Sequence, residues 1–211
     1  MKLDFDCTIV GAGVVGLAIA SVLSRKKISI LVLEKNNSFG EHNSSRNSGV
    51  IHAGIYYPEN SLKAKLCKIG NKMIYKYAKE RGVNVLNCGK LIISKNINEE
   101  KKLISLKKNA KKIGVELDLL DKKEVQRLES NVLCYSALLS RSTGIIDSHQ
   151  LMTNFTADVE NHGGKIVYNH EVNFIEENKS RVNFKIKDLP NIFSTKILIN
   201  SAGLYSHDLA K

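Results

Sequence analysis

Three glycines and one carboxylate near the start of this chain have the spacing that a dinucleotide needs. Gly11, Gly13 and Gly16 form a G-x-G-x-x-G pattern directly after the apolar run Cys7–Val10, and Glu34 closes the next apolar run, Ile28–Leu33. Gly11 lets the chain turn sharply out of a strand. Gly13 leaves no side chain in the way of a pyrophosphate, and Gly16 lets the following helix lie close to the sheet. The helix N-terminus then offers N–H groups and a partial positive charge to phosphate. Glu34 stands 18 residues beyond Gly16, where a carboxylate accepts both hydroxyls of an adenosine ribose and repels a 2′-phosphate. NADP is therefore disfavoured, while FAD and NAD both satisfy the pattern.

No other group of chemistry-bearing residues has comparable spacing. Cys7, Cys67, Cys88 and Cys134 are far apart and form no C-x-x-C pair, so they read as reduced thiols. None of the six histidines has zinc-like spacing, and no metal site is expected.

Periodicity indicates the elements that must position these residues. Residues 5–10 and 28–33 read as parallel strands joined through a helix from Val14 to Arg25. From Lys35 to Asn60 the chain has little periodicity and many Ser, Asn and Gly residues; so long an irregular segment in a compact domain is usually functional. Ser61 caps a helix in which Leu62, Leu66, Ile69, Met73 and Tyr77 recur on one side, and that stripe is expected to face the core. A strand over 89–94, helices over 99–113 and 122–129 and a strand over 137–139 follow. A helix from Ser148 to His162 stops at Gly163-Gly164, and four strands lead to Ser201-Ala202-Gly203. The expected class is α/β. Residues 1–85 and 147–211 form a discontinuous Rossmann-like domain, and residues 86–146 form an inserted segment.

Composition narrows the class further. Hydrophobic residues at 43% and charged residues at 25% suit a globular chain of 211 residues. No apolar run approaches the ~20 residues of a spanning helix, and the first residues resemble neither a signal nor a transit peptide. A cytoplasmic location is expected. The net charge is +11, but lysine supplies 26 of the 32 basic residues without the arginine and aromatic interleaving of a nucleic-acid groove, so no nucleic-acid partner is expected. Lys101-Lys102, Lys107-Lys108 and Lys111-Lys112 read as one solvated helix face; peripheral contact with the inner face of the cell membrane is the alternative.

Beyond the fingerprint, the block Arg46-Asn47-Ser48-Gly49-Val50-Ile51-His52-Ala53-Gly54-Ile55-Tyr56-Tyr57 resembles the FAD-dependent oxidoreductases of the D-amino-acid-oxidase superfamily, and within it the L-2-hydroxyglutarate dehydrogenase/oxidase family. Ser61-Leu62-Lys63-Ala64, Cys88-Gly89-Lys90-Leu91, Thr143-Gly144-Ile145-Ile146-Asp147 and Asn200-Ser201-Ala202-Gly203-Leu204 fit the same family, with Ser201 where a cysteine is common. The resemblance implies a GR2-type FAD-binding domain with an inserted α+β substrate domain. The same resemblance implies that the substrate domain is incomplete here, with the C-terminal half of the family pattern absent.

The resemblance also implies roles. FAD would take its AMP half at Gly11, Ala12, Gly13, Gly16 and Glu34, with Lys35 bordering the adenosine. Ser45 and Arg46 belong to a loop that in the superfamily passes the pyrophosphate and ribityl chain. Val172 matches a position whose backbone meets adenine, and Ala202 and Gly203 match a turn close to the cofactor. The implied reaction is oxidation of L-2-hydroxyglutarate, or a related L-2-hydroxy acid, to the 2-oxo acid by hydride transfer to flavin N5. Histidine suits the accompanying proton removal, and His52 is the candidate base. Tyr56, Tyr57 and Lys90 are candidates for holding the carboxylates of a dicarboxylate substrate. Electrons would pass to a quinone, an electron-transfer flavoprotein or oxygen. The competing readings are a truncated, inactive FAD-binding fragment, an amine or amino-acid oxidase of the same superfamily, and an NAD-dependent dehydrogenase.

Overall fold

The computed structural model describes residues 3–178 and 180–210. The chain opens with β1 (Phe5–Val10), whose last four residues are buried. The glycine-rich turn leads into α1 (Val14–Ser24) and then β2 (Ile30–Leu33), buried throughout. β2 starts two residues later than expected. The Ser29 N–H and hydroxyl both donate to the Asp6 carboxylate at 2.7 Å, which pins the chain just before pairing begins.

The middle of the chain forms β3 (Val50–Ile51), α2 (Leu62–Arg81), β4 (Val85–Leu86), β5 (Lys90–Ser94), α3 (Ile97–Lys112), β6 (Asp118–Asp121), α4 (Lys122–Leu128), β7 (Ser136–Ser140) and β8 (Gly144–Ile146). Side chains start its helices. The Ser61 hydroxyl accepts from Ala64 N–H, Asn96 accepts from Glu99 N–H, and Asp121 and Glu124 form a reciprocal capping box. The chain then continues through α5 (Ser148–Asn161), β9 (Lys165–Val167), β10 (Val172–Asn178), β11 (Arg181–Ile186) and β12 (Ile192–Asn200), a 3-10 turn at Gly203–Tyr205 and α6 (Ser206–Leu209).

Two compact units result, Met1–Asn47 with Ser148–Lys211, and Ser48–Asp147. The first is built on a six-stranded sheet in the order β10-β11-β12-β1-β2-β9. β12, β1, β2 and β9 run parallel, and β10–β11–β12 is an antiparallel meander. Leu17 and Ala20 of α1 pack with Met152 and Val159 of α5 against Cys7, Ile9, Ile30 and Val32. A second cluster joins Val10, Leu31 and Leu33 to Val172, Phe184 and Ile186. Strands alternate their side chains between faces, so β1 and β2 serve both clusters.

The second unit holds two three-stranded sheets, β3-β8-β4 and β5-β7-β6, and a core of Ala53, Ile55, Leu103, Ala110, Val115, Leu117 and Leu138. The domain boundary expected after residue 85 therefore shifts to residue 47. β8 pairs with both β3 and β4, and the buried Asn71 amide of α2 donates to the carbonyls of His52 and Ser142. These bonds tie residues 48–85 to residues 86–147.

The apolar stripe of α2 also departs from expectation. Leu62, Leu66, Ile69 and Met73 are 46 to 69% exposed. The buried residues of the helix are instead Ala64, Asn71 and Ala78, seven apart, whose small side chains let the helix approach its own unit closely. Helical spacing identifies a face but not which face is covered.

Candidate active site

In the first unit, the glycine-rich turn lies at the C-terminal end of β1, between β12 and β2, the position where open parallel sheets bind ligands. Backbone bonds stitch this crest together. Gly11 N–H donates to Leu33 O at 2.8 Å, Ser201 N–H to Val10 O at 2.9 Å, and Glu34 N–H to Val167 O at 2.9 Å. Gly11 has φ +104°, and a Cβ there would stand 2.5 Å from Ser201 O; a Cβ on Gly16 would collide with Gly11 O. Both glycines are demanded by the chain itself.

Gly13 differs. Its φ of −77° suits any residue, and an added Cβ would meet only the Ser44 hydroxyl, at 3.1 Å. The protein hardly needs a glycine there, whereas a phosphate approaching the helix does. That is the fit of this turn to a dinucleotide. Ser44, which precedes Ser45 and Arg46 in the same loop, joins the turn as well. Its hydroxyl accepts the Val14 N–H at 3.0 Å and so caps α1 from the following loop. Nothing in its immediate sequence signals this, because the cap comes from 30 residues downstream.

Glu34 is buried, and its carboxylate already serves the protein. One oxygen accepts from Ala12 N–H at 2.8 Å; the other accepts from Asn36 N–H at 3.0 Å and from the Asn36 amide at 2.8 Å. A carboxylate has about four acceptor sites, which leaves capacity for a ribose hydroxyl. Lys35 is half-buried, and its ammonium lies 3.2 Å from the ring centroid of Tyr205. The Ser45 hydroxyl donates to Gly40 O at 2.6 Å, and Gly40 N–H in turn donates to Ala12 O at 3.0 Å, so this loop is anchored on the turn. Arg46 is exposed, with its N–H on Asn43 O. Val172 is buried at the start of β10. Ala202 and Gly203 follow β12, and the Ala202 N–H donates to Asn200 Oδ1 at 3.2 Å.

The second unit brings His52, Tyr56, Tyr57 and Lys90 together around one small cleft, with Thr143 on its wall. The backbone under His52 is fixed from α2: its carbonyl accepts from the Asn71 amide at 3.2 Å and from Cys67 Sγ at 3.4 Å. Burial pushes the Cys67 thiol up, against the opposing pull of Lys63, so the sulfur keeps the proton it donates. The Lys90 ammonium stands 4.9 Å from the Tyr56 ring centroid, and Lys63 stands 4.6 Å from that of Tyr57. The residues that line the cleft thus include an exposed imidazole, two phenols and an ammonium. Groups of these types can pair with an anion and accept a proton. Asn71 is not among the expected site residues, and Thr143 enters the expectation only within the family motif Thr143-Gly144-Ile145-Ile146-Asp147. The signal for Asn71 was a lone amide at the seven-residue spacing of Ala64 and Ala78.

The family pattern described as FAD dependent oxidoreductase (DAO) matches residues 6–211. L-2-hydroxyglutarate dehydrogenase, mitochondrial, of Pongo abelii is 36% identical over 99% of this chain and 53% of that protein. The Arabidopsis thaliana protein of the same name is 44% identical over 72% of this chain and 32% of that protein. The chain spans about half the length of the curated relatives that match nearly all of it. The mitochondrial location in their names does not fit the cytoplasmic expectation; among the described residues, no helix is long and apolar enough to cross a membrane. Among solved structures, reduced L-alpha-glycerophosphate oxidase from Mycoplasma pneumoniae with FAD bound superposes with a TM-score of 0.90 at 27% identity, over 97% of this chain and 55% of that one. Glycine oxidase from Geobacillus kaustophilus gives a TM-score of 0.88 at 20% identity, over 98% and 57%, a likeness of fold alone.

Proposed function

The chain belongs to the FAD-dependent oxidoreductase family, and on that premise we propose that it serves the oxidation of L-2-hydroxyglutarate, or a related L-2-hydroxy acid, to the 2-oxo acid. The observation that carries this reading is the convergence of His52, Tyr56, Tyr57 and Lys90 on one cleft. Relatives named L-2-hydroxyglutarate dehydrogenase at 36% identity support it.

Gly11, Ala12, Gly13, Gly16 and Glu34 would hold the AMP half of FAD, with Lys35, Ser45, Arg46, Val172, Ala202 and Gly203 completing its contacts. Bound FAD supplies the acceptor for the hydride that leaves C2. His52 removes the proton of the C2 hydroxyl, a step for which an imidazole is suited near neutral pH. Lys90 holds the distal carboxylate, and the Tyr56 and Tyr57 hydroxyls donate to substrate carboxylate oxygens. A quinone, an electron-transfer flavoprotein or oxygen would be the final electron acceptor. Peripheral contact with an anionic membrane surface belongs to the same reading, supported by the net charge of +11.

A second reading, an FAD-binding polypeptide without turnover of its own, is favoured by the exposed apolar face of α2, which has the character of a surface made to be covered. Anaerobic mixing of the FAD-loaded protein with L-2-hydroxyglutarate separates the two. Bleaching of the flavin band supports oxidation. A yellow protein inert to the hydroxy acid supports the binding reading, and bleaching by an amino acid alone moves the assignment to an amine oxidase.

A further inference from the structure

The cluster of Lys35, Tyr205 and His42 has no part in the reading above beyond Lys35 itself. β2 and β12 flank β1 on opposite sides. Lys35 follows the end of β2, and Tyr205 follows the end of β12 by way of Ala202 and Gly203. β1 lies between β12 and β2, with neighbouring strands about 4.8 Å apart, so a contact between residues that follow β2 and β12 bridges the C-terminal end of β1. That contact is made: the Lys35 ammonium lies 3.2 Å from the Tyr205 ring centroid. The His42 ring meets Tyr205 edge-on at 5.7 Å and 61°, which steadies the ring from the preceding loop.

A cation held by an aromatic face differs from one held by a carboxylate. The ring orients the ammonium through its quadrupole but does not neutralise it, and the ammonium has three N–H donors to share. An ammonium held in this way at the end of β1 keeps its charge for an anion bound at the neighbouring glycine-rich turn.

We propose that Tyr205 is a positioning residue for the cofactor, its ring holding the Lys35 ammonium across the glycine-rich crest for the negative charge of the FAD diphosphate. This rests on the FAD reading of the turn. It assigns to Tyr205 and His42 a role in cofactor affinity that neither residue's sequence context announced.

Quenching of flavin fluorescence on titrating FAD into the refolded protein tests it, at low and at physiological salt. Tyr205→Phe keeps the ring and should bind FAD within about twofold of wild type. Tyr205→Leu should weaken binding about three- to fivefold, the worth of an exposed cation–π contact. Lys35→Met should weaken it about tenfold and flatten its salt dependence. Lys35→Met/Tyr205→Leu should bind no more weakly than Lys35→Met alone, because the ring acts only through the ammonium. Additive losses in the double variant overturn the inference. So does Tyr205→Leu binding as well as wild type or better, which would make the pair an obstruction or a bystander. If wild type itself takes up no FAD, the reading of the turn fails, a result distinct from equal binding by all variants.

Discussion

The carboxylate of Glu34 accepts the backbone N–H of Ala12 at 2.8 Å, so the acid at the end of the second strand is bonded directly into the turn after the first. The residue therefore has a structural duty in the protein, in addition to the ribose contact proposed for it. Glu34→Ala strips a buried N–H of its acceptor, a loss of about 1–3 kcal/mol. Chemical denaturation of the FAD-free protein should show a lowered midpoint with an unchanged slope, and Glu34→Gln, which keeps one oxygen, should lose less. An FAD-free Glu34→Ala protein as stable as wild type would leave the carboxylate to the ligand alone.

Gly11 and Gly13 are two residues apart and should respond differently to the same substitution. Gly11→Ala drives a Cβ to 2.5 Å from a backbone oxygen at a φ of +104°, and strain of this kind costs on the order of 3 kcal/mol. The expected outcome is a poorly folded first unit by circular dichroism. Gly13→Ala has an ordinary φ and meets only a hydroxyl at 3.1 Å. It should fold with a melting temperature near that of wild type, yet bind FAD at least tenfold more weakly.

Along α2, exposure and burial are set against residue type. Leu66→Gln and Met73→Gln remove exposed apolar side chains and should change stability by no more than about 0.5 kcal/mol, while reducing self-association seen by light scattering. Ala78→Leu forces bulk into a closely packed face and should cost about 1–3 kcal/mol.

Asp6 provides a pH signature. The Ser29 backbone N–H, and then its hydroxyl, hold the Asp6 carboxyl below its ordinary value of 3.8. A carboxyl lowered in the folded state contributes stability that is fully present above 3.8 and is lost as pH falls through the lowered value. Asp6→Asn should therefore melt below wild type at neutral pH, with the gap closing under strongly acidic conditions. A gap independent of pH would assign the effect to packing.

The fingerprint, both flanking strands and α1 were legible in the sequence because each follows from local rules: apolar runs, glycine spacing and an acid at a strand end. His52, Tyr56 and Tyr57 were legible as a block of neighbouring residues, and Lys90, distant in sequence, joins them at the cleft. What local reading lost is non-local. The Ser44 cap on α1 comes from a later loop, and the Asn71 bridge joins two distant carbonyls. The domain boundary at residue 47 depends on pairing of β8 with β3 and β4. The stripe Leu62–Met73 was read correctly as a face and wrongly as a core, because periodicity carries no information about what covers it.

The most direct test of the account is anaerobic reduction of the FAD-loaded protein by L-2-hydroxyglutarate, followed in the flavin absorbance of wild type and His52→Ala. The account predicts bleaching by the hydroxy acid in wild type, slowed by about 10²- to 10⁴-fold when the imidazole is removed, with the bound flavin otherwise unchanged. Equal bleaching rates in both proteins, or a flavin that only an amino acid can reduce, would contradict it.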